Sequence, residues 1–182
     1  WGIFLNYGLA LIAVLAVAVL LSARNWRAAL TALVPAVVAA LAVAVVFLAA
    51  GFWWFDGYLL VQERYWQGIA SERPFQYWGW ANFASVVCAV GLGTVAGIGR
   101  VFDIAAIRRR SGLHLLVIGA LLAITFADLS RLSKAETERI WLPFTVWLIA
   151  STALLPARSL RWWLALNVIG ALAINHLILT NW

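Results

Sequence analysis

Residues 30–52 contain no charged side chain at all. A helix needs roughly 20 consecutive apolar residues to cross the hydrocarbon core of a bilayer, about 30 Å thick, and this run is long enough. Five more apolar stretches, 3–22, 80–99, 112–127, 140–157 and 162–182, approach the same length. With 65% apolar and only 11% charged residues, a chain of 182 holds more apolar surface than a core of that size can hide. The pattern predicts an all-α fold: a polytopic transmembrane helix bundle of about six spans, forming one region over residues 1–182. It excludes a secreted disulfide scaffold, a disordered tail and an ordinary cytosolic enzyme. Cys88 is the lone cysteine and lies in an apolar stretch, so it can form no intrachain disulfide. The chain has no methionine and no basic segment ahead of its first apolar run, so it is expected to be a piece of a longer protein. Pro35 and Pro143 are placed near span ends, where a missing N–H is tolerated.

The net charge of +6 raises the question of nucleic acid, but the basic residues fall in loops between the apolar runs. One set of loops holds Arg24, Arg27, Arg100, Arg108, Arg109, Arg110, Arg158 and Arg161 against Asp103 alone. The other set, 51–79 and 128–139, holds Arg64, Arg73, Arg131, Lys134 and Arg139 together with six carboxylates. Cytoplasmic loops carry the excess of Lys and Arg, so the first set is read as cytoplasmic and both termini as outward. The expected partner is the lipid bilayer of the cell membrane, not nucleic acid. The cytoplasmic loops are short, which assigns any chemistry to the outer face.

The first outward loop is crowded with rings: residues 52–80 include Trp53, Trp54, Phe55, Tyr65, Trp66, Tyr77, Trp78 and Trp80. Indole and phenol rings concentrate at membrane interfaces, apolar body inward and polar tip wet. Tyr58, Val61, Tyr65 and Ile69 recur at helical spacing, which predicts an in-plane or re-entrant helix broken near Gly68 and Pro74. One reading is an aromatic belt that anchors the chain. The other is a docking surface for a lipid-linked or sugar substrate, with Trp66, Tyr77 and Trp78 stacking and Arg64 and Arg73 holding a phosphate.

In the second outward loop, Ser133 followed by Glu136 reads as a capping box, which starts the fifth span near Lys134. Lys134 and Glu138, four apart, are expected to pair, as are Asp128 and Arg131. Lys134 and Glu136 read as a solvated helix start. Glu138 and Arg139 touch the apolar run, where a charge is costly unless it is paired or faces water, and so both are site candidates. Asn167 and His176 lie in the sixth span and His114 in the fourth. Such residues more often bond between helices, although His176 is placed to face the outward cavity. Gly93 and Gly97 form a small-xxx-small pair that suggests close packing. No cofactor motif and no metal-ligand cluster is evident; whether a divalent metal takes part is left open.

At YWQGIASERPFQYWGWANF, DLSRLSKAETERIWLPFTVW and INHLILTNW the chain resembles the C-terminal half of an actinobacterial family of polytopic membrane proteins. That family is similar to GT-C-type glycosyltransferases, the methylthioxylose transferase-like group among them. The resemblance covers most of the chain, and ERIWLPF is its most specific part. It implies transfer of a sugar from a polyprenyl-phosphate donor to a cell-envelope glycan acceptor on the outer face. It also implies that the catalytic carboxylate lies in a first outward loop ahead of Trp1. Arg64, Arg73 and Arg139 are then candidates for phosphate contact, Glu138 and Asp128 for orienting them or binding hydroxyls. Two other classes remain open: a transporter or flippase segment, and a structural subunit without chemistry. Scarce mid-span charge counts against transport.

Overall fold

The computed structural model describes residues 2–134 and 136–177. The described residues are helical throughout their regular structure, with no strand among them. The chain opens with a short helix α1 (Gly2–Leu5), a 3₁₀ turn over Tyr7–Leu11, and α2 (Ile12–Ser22). It continues through α3 (Trp26–Ala49), α4 (Trp54–Gln67), α5 (Phe75–Val90), α6 (Leu92–Ile98) and α7 (Ile104–Arg108). It closes with α8 (Gly112–Leu129), α9 (Thr137–Ile140), α10 (Leu142–Leu148) and α11 (Leu160–Leu177), the last described to Leu177. Residues 178–182, the end of the expected sixth span, lie outside the described residues.

Two helices, α3 and α8, are long and apolar enough to cross a membrane. A third span results if α5 and α6 are counted together, although they meet at 109°. Gly91 makes that bend: it sits at φ 78°, where a side chain is strained, and a Cβ there would press on the Asn167 amide. Asn167 Oδ1 accepts from the Gly93 N–H at 2.9 Å, satisfying a donor that the bend exposes. Asn167 thus bonds between helices, as its sequence position suggested. The expected first and fifth spans consist of shorter apolar helices, Tyr7–Ser22 and Leu142–Leu154. Pro143 falls at the start of α10, where its missing N–H costs nothing. Pro35 departs from expectation. The Asn25 side chain caps α3 by accepting from Ala28, so the helix starts early and Pro35 lies in its interior.

The core gathers around α8. Val117, Ala120, Ala123 and Ile124 are almost wholly covered, and Leu15, Val86, Val101, Trp141, Phe144 and Leu148 pack against them. Small residues allow this. Gly112 lies beside Ser22 while Gly119 lies beside Ala18 and Leu15, so α2 and α8 run antiparallel with their backbones close. Gly97 similarly meets the Ser151 backbone, and the Ser151 hydroxyl donates to Thr94 O at 2.9 Å. The helix expected in the first outward loop is α4, which ends at Gly68; a 3₁₀ turn (Ile69–Glu72) follows, and Pro74 caps α5.

Candidate functional site

Three stretches separated in sequence converge at one end of the core. They are the first half of α5, the end of α8 with the loop after it, and the turn between α4 and α5. Asn82 is the pin. It is 2% exposed, and the two protons of its amide go to Asp128 Oδ1 at 2.7 Å and to the Ser133 carbonyl at 2.8 Å. A buried carboxylate next to apolar side chains is costly unless hydrogen-bonded, and Asn82 supplies that bond. Thr137 Oγ lies 3.5 Å from the Asn82 carbonyl.

Asp128 also reaches a cavity of about 430 Å³ lined by Phe75, Gln76, Gly79, Trp80 and Phe83. Gly79 keeps this space open: a Cβ there would stand 3.3 Å from the Phe75 ring and 3.5 Å from Asp128 Oδ2. Three aromatic residues and one carboxylate therefore face the same space. Arg131 does not pair with Asp128 as its position suggested. Its guanidinium lies over the Phe75 ring, 4.9 Å from the centroid, while Asn82 takes the carboxylate.

A second cluster adjoins the first through Lys134. The sequence reading left this residue in solvent, but it is only 7% exposed. Its ammonium donates to the Ala70 carbonyl at 3.0 Å and sits 4.4 Å from the Trp66 ring centroid. Pairing with Glu138 is thereby replaced. Arg73 donates to the Lys134 carbonyl at 2.6 Å and lies over Trp78 at 5.0 Å. These tertiary bonds also override the capping box. The Ser133 and Lys134 carbonyls are taken by α5 and Arg73, Glu136 adopts a left-handed conformation at φ 54°, and α9 starts only at Thr137 without a side-chain cap.

The Tyr65 hydroxyl is buried in this cluster beside the Lys134 backbone, and its proton has no acceptor among the described residues. Burial raises its pKa; the nearby Lys134 backbone and the Arg73 charge offset part of that rise. Glu138 is tied to α5 by the Ser85 hydroxyl, which donates to Oε2 at 2.7 Å, while Oε1 is buried and unpartnered.

Of the residues singled out from sequence, Arg73, Trp66, Trp78 and Asp128 are joined through Asn82 and Lys134, and Glu138 binds the same helix α5. The others stand apart. Arg64 bonds to Gln67 at 3.1 Å on the surface. Arg139 pairs with Glu136 at 3.6 Å, both side chains more than half exposed, a pair worth about 0–1 kcal/mol. Tyr77 is exposed and touches Trp78 edge-on. His176 is exposed and its Nδ1–H donates to Leu172 O within its own helix, not into the cavity. Sequence reasoning missed Asn82, Ser85 and Tyr65. The signal for Asn82 was present, a lone amide inside an apolar stretch, where it must find partners. No group of three or more His, Cys, Asp or Glu among the described residues is arranged to hold a metal.

No protein-family model, no curated protein and no solved structure matches the chain.

Proposed function

We propose that the chain is the C-terminal membrane portion of a glycosyltransferase, crossing the bilayer about six times with both ends outward. It moves a sugar from a polyprenyl-phosphate donor to a cell-envelope acceptor. One observation carries the reading: the Asp128 carboxylate faces an open cavity walled by Phe75, Trp80 and Phe83. Sugars present apolar C–H faces that stack on aromatic rings, and hydroxyls that donate to carboxylates, so a few convergent polar groups in an aromatic cleft suit them. Asp128 would orient acceptor or donor hydroxyls. The base that activates the acceptor comes from elsewhere in this reading. The aromatic helix α4 lies in the plane of the outer interface, where its exposed Phe55, Leu59 and Trp66 meet lipid. A specific feature favours transport as the second reading: broken helices such as α5–α6 recur at transporter binding sites.

The test is transfer by the protein in native membranes from a panel of labelled polyprenyl-phosphate sugars. Trp80 is 81% exposed, so Trp80→Ala leaves the fold intact. It is expected to lower transfer about tenfold, equivalent to about 1.4 kcal/mol of lost stacking. Asp128→Asn should lower it further. Unchanged transfer in both removes the cavity from the reaction, and solute flux without transfer moves the protein to the second reading.

A further inference from the structure

We infer that the cavity at Asp128 selects a ligand with a positively charged nitrogen, a protonated amine or a quaternary ammonium. The inference rests on the transfer reading only for the place of the site, and it asks for binding alone. Asp128 is 4% exposed. Its Oδ1 accepts a proton from the Asn82 amide at 2.7 Å, which eases the burial but brings no positive charge. Among the described residues the ion pair joins Arg139 to Glu136, so no described cation neutralises Asp128. Arg131, three residues on, is the nearest cation in sequence. Its guanidinium lies over the Phe75 ring at 4.9 Å, and Arg131 does not line the cavity. Oδ2 stands at the Gly79 wall, 3.5 Å from where a Cβ would project. A carboxylate shielded from water with no cation beside it is costly, and a cation entering the cavity would remove that cost.

The walls decide which kind of cation fits. Phe75, Trp80 and Phe83 line the same space as Asp128, about 430 Å³. Aromatic faces attract cations through the ring quadrupole, and cages of such rings recognise organic ammonium groups. The Phe75 ring already holds a cation in this way, the Arg131 guanidinium. A bare metal ion instead needs about six oxygen ligands. This cavity offers only the Asp128 carboxylate and the Gln76 amide, and no three acidic, His or Cys side chains cluster among the described residues. Its volume is that of a small-molecule site, about 300–1,000 Å³. A sugar hydroxyl would donate to Oδ2 but leave the charge uncompensated. A protonated amine does both, through a charge-assisted hydrogen bond. Trp80 is 81% exposed and carries the ring type that cations prefer.

The experiment is thermal melting of the protein in polyoxyethylene micelles, which carry neither sugar nor ammonium groups. One pair of probes is glucosamine and glucose, at a pH where the amine is protonated. The other is short-chain phosphatidylethanolamine and its amine-free counterpart, phosphatidylglycerol. The expected result is a saturable rise in Tm with glucosamine at an affinity about tenfold above that for glucose, the gain of a charge-assisted hydrogen bond over a neutral one. A rise with phosphatidylethanolamine, but with neither phosphatidylglycerol nor glucosamine, identifies a lipid headgroup as the source of the ammonium. It removes the sugar from this cavity while the ammonium site stands. Asp128→Asn keeps the shape of the side chain without its charge and should abolish the preference for the amine. Trp80→Leu, at an exposed position, keeps the fold if the Asp128 variant does not. It should weaken glucosamine binding about fivefold, the loss of one cation–π contact. Three results overturn the site: equal affinity for glucosamine and glucose, no saturable shift with either amine probe, or unchanged amine binding in every variant that folds. In the first of these a neutral sugar still binds, so the transfer reading survives and the two fail separately.

Discussion

Helices α3 and α8 are both long and apolar, yet they occupy opposite environments. The most apolar part of α3 has a mean hydropathy of 2.8 and none of it is buried, whereas in α8 the value is 2.0 and 44% of the stretch is covered by the rest of the chain. Val34, Val38, Leu41 and Val45 of α3 all stand more than half exposed. In α8 the covered positions are largely small: Gly119, Ala120, Ala123 and Ala127. The difference shows what hydropathy measures. It reports whether a segment prefers oil to water, not whether the oil is lipid or protein. Lipid tails are as apolar as leucine, so helices associate in a bilayer through close packing and polar bonds. α8 has small residues for close approach and Asp128 for a polar bond. α3 has bulky valines and no polar grip in its middle.

The largest effect that could break this contrast is a charge at the middle of α3. Arginine at the centre of a membrane helix costs about 3 kcal/mol of insertion free energy. On a water-exposed surface the same change would fall within about 0.5 kcal/mol. Val38→Arg is therefore expected to lower insertion of α3 in a glycosylation-reporter assay by that larger amount. Insertion at the wild-type level would put Val38 in water and remove the lipid-facing reading of α3.

Two glycines sharpen the contrast at lower cost. A methyl group on Gly97 would overlap the Ser151 backbone, which cannot swing aside as a side-chain tip could. Gly97→Ala should destabilise the folded protein by about 1–3 kcal/mol, read by unfolding in mixed micelles. Gly170, inside α11, has nothing within 4 Å of the same position. Gly170→Ala should stabilise by up to about 1 kcal/mol through helix propensity alone. Equal effects at the two positions would mean that α6 and α11 are covered alike.

Much of the helical character was legible from apolar run length, because that preference is local. The break at Gly68 and Pro74 was legible for the same reason: each residue limits its own backbone. The capping box failed because Ser133 and Lys134 are claimed by distant groups, Asn82 and Arg73, that no window of sequence connects. Lys134 was the costliest misreading. A lysine in a polar loop normally stays wet, and only the fold brings Trp66 and Ala70 over it. Arg64 and Arg139 show the converse. Their residue type suited phosphate, but each is occupied by a neighbour on its own helix or at its start. Asp128 was found as a candidate but assigned the wrong partner, since Arg131 prefers the Phe75 face.

The smallest effect compares the starts of two helices. Asn25 caps α3 and Asp103 caps α7, each through a side-chain oxygen that accepts from backbone N–H groups. Only one of these caps titrates. Hydrogen bonds from Ala106 and Ala105 hold the Asp103 carboxyl below its ordinary value. A lowered carboxylate pKa means that the folded turn binds its proton less readily than the unfolded chain. The cap's contribution is thus complete above the ordinary carboxylate range and disappears as pH falls through the lowered folded value. Asp103 is fully exposed and screened by solvent, so the consequence is local. Hydrogen exchange at Ala105 and Ala106 should speed up relative to the intrinsic rate as pH drops below about 4, while Ala28 at the start of α3 keeps its protection. Asp103→Asn should remove the pH dependence and leave α7 capped at every pH. If Ala28 loses protection in the same acid range, the two helix starts share a titrating group that their geometry does not contain.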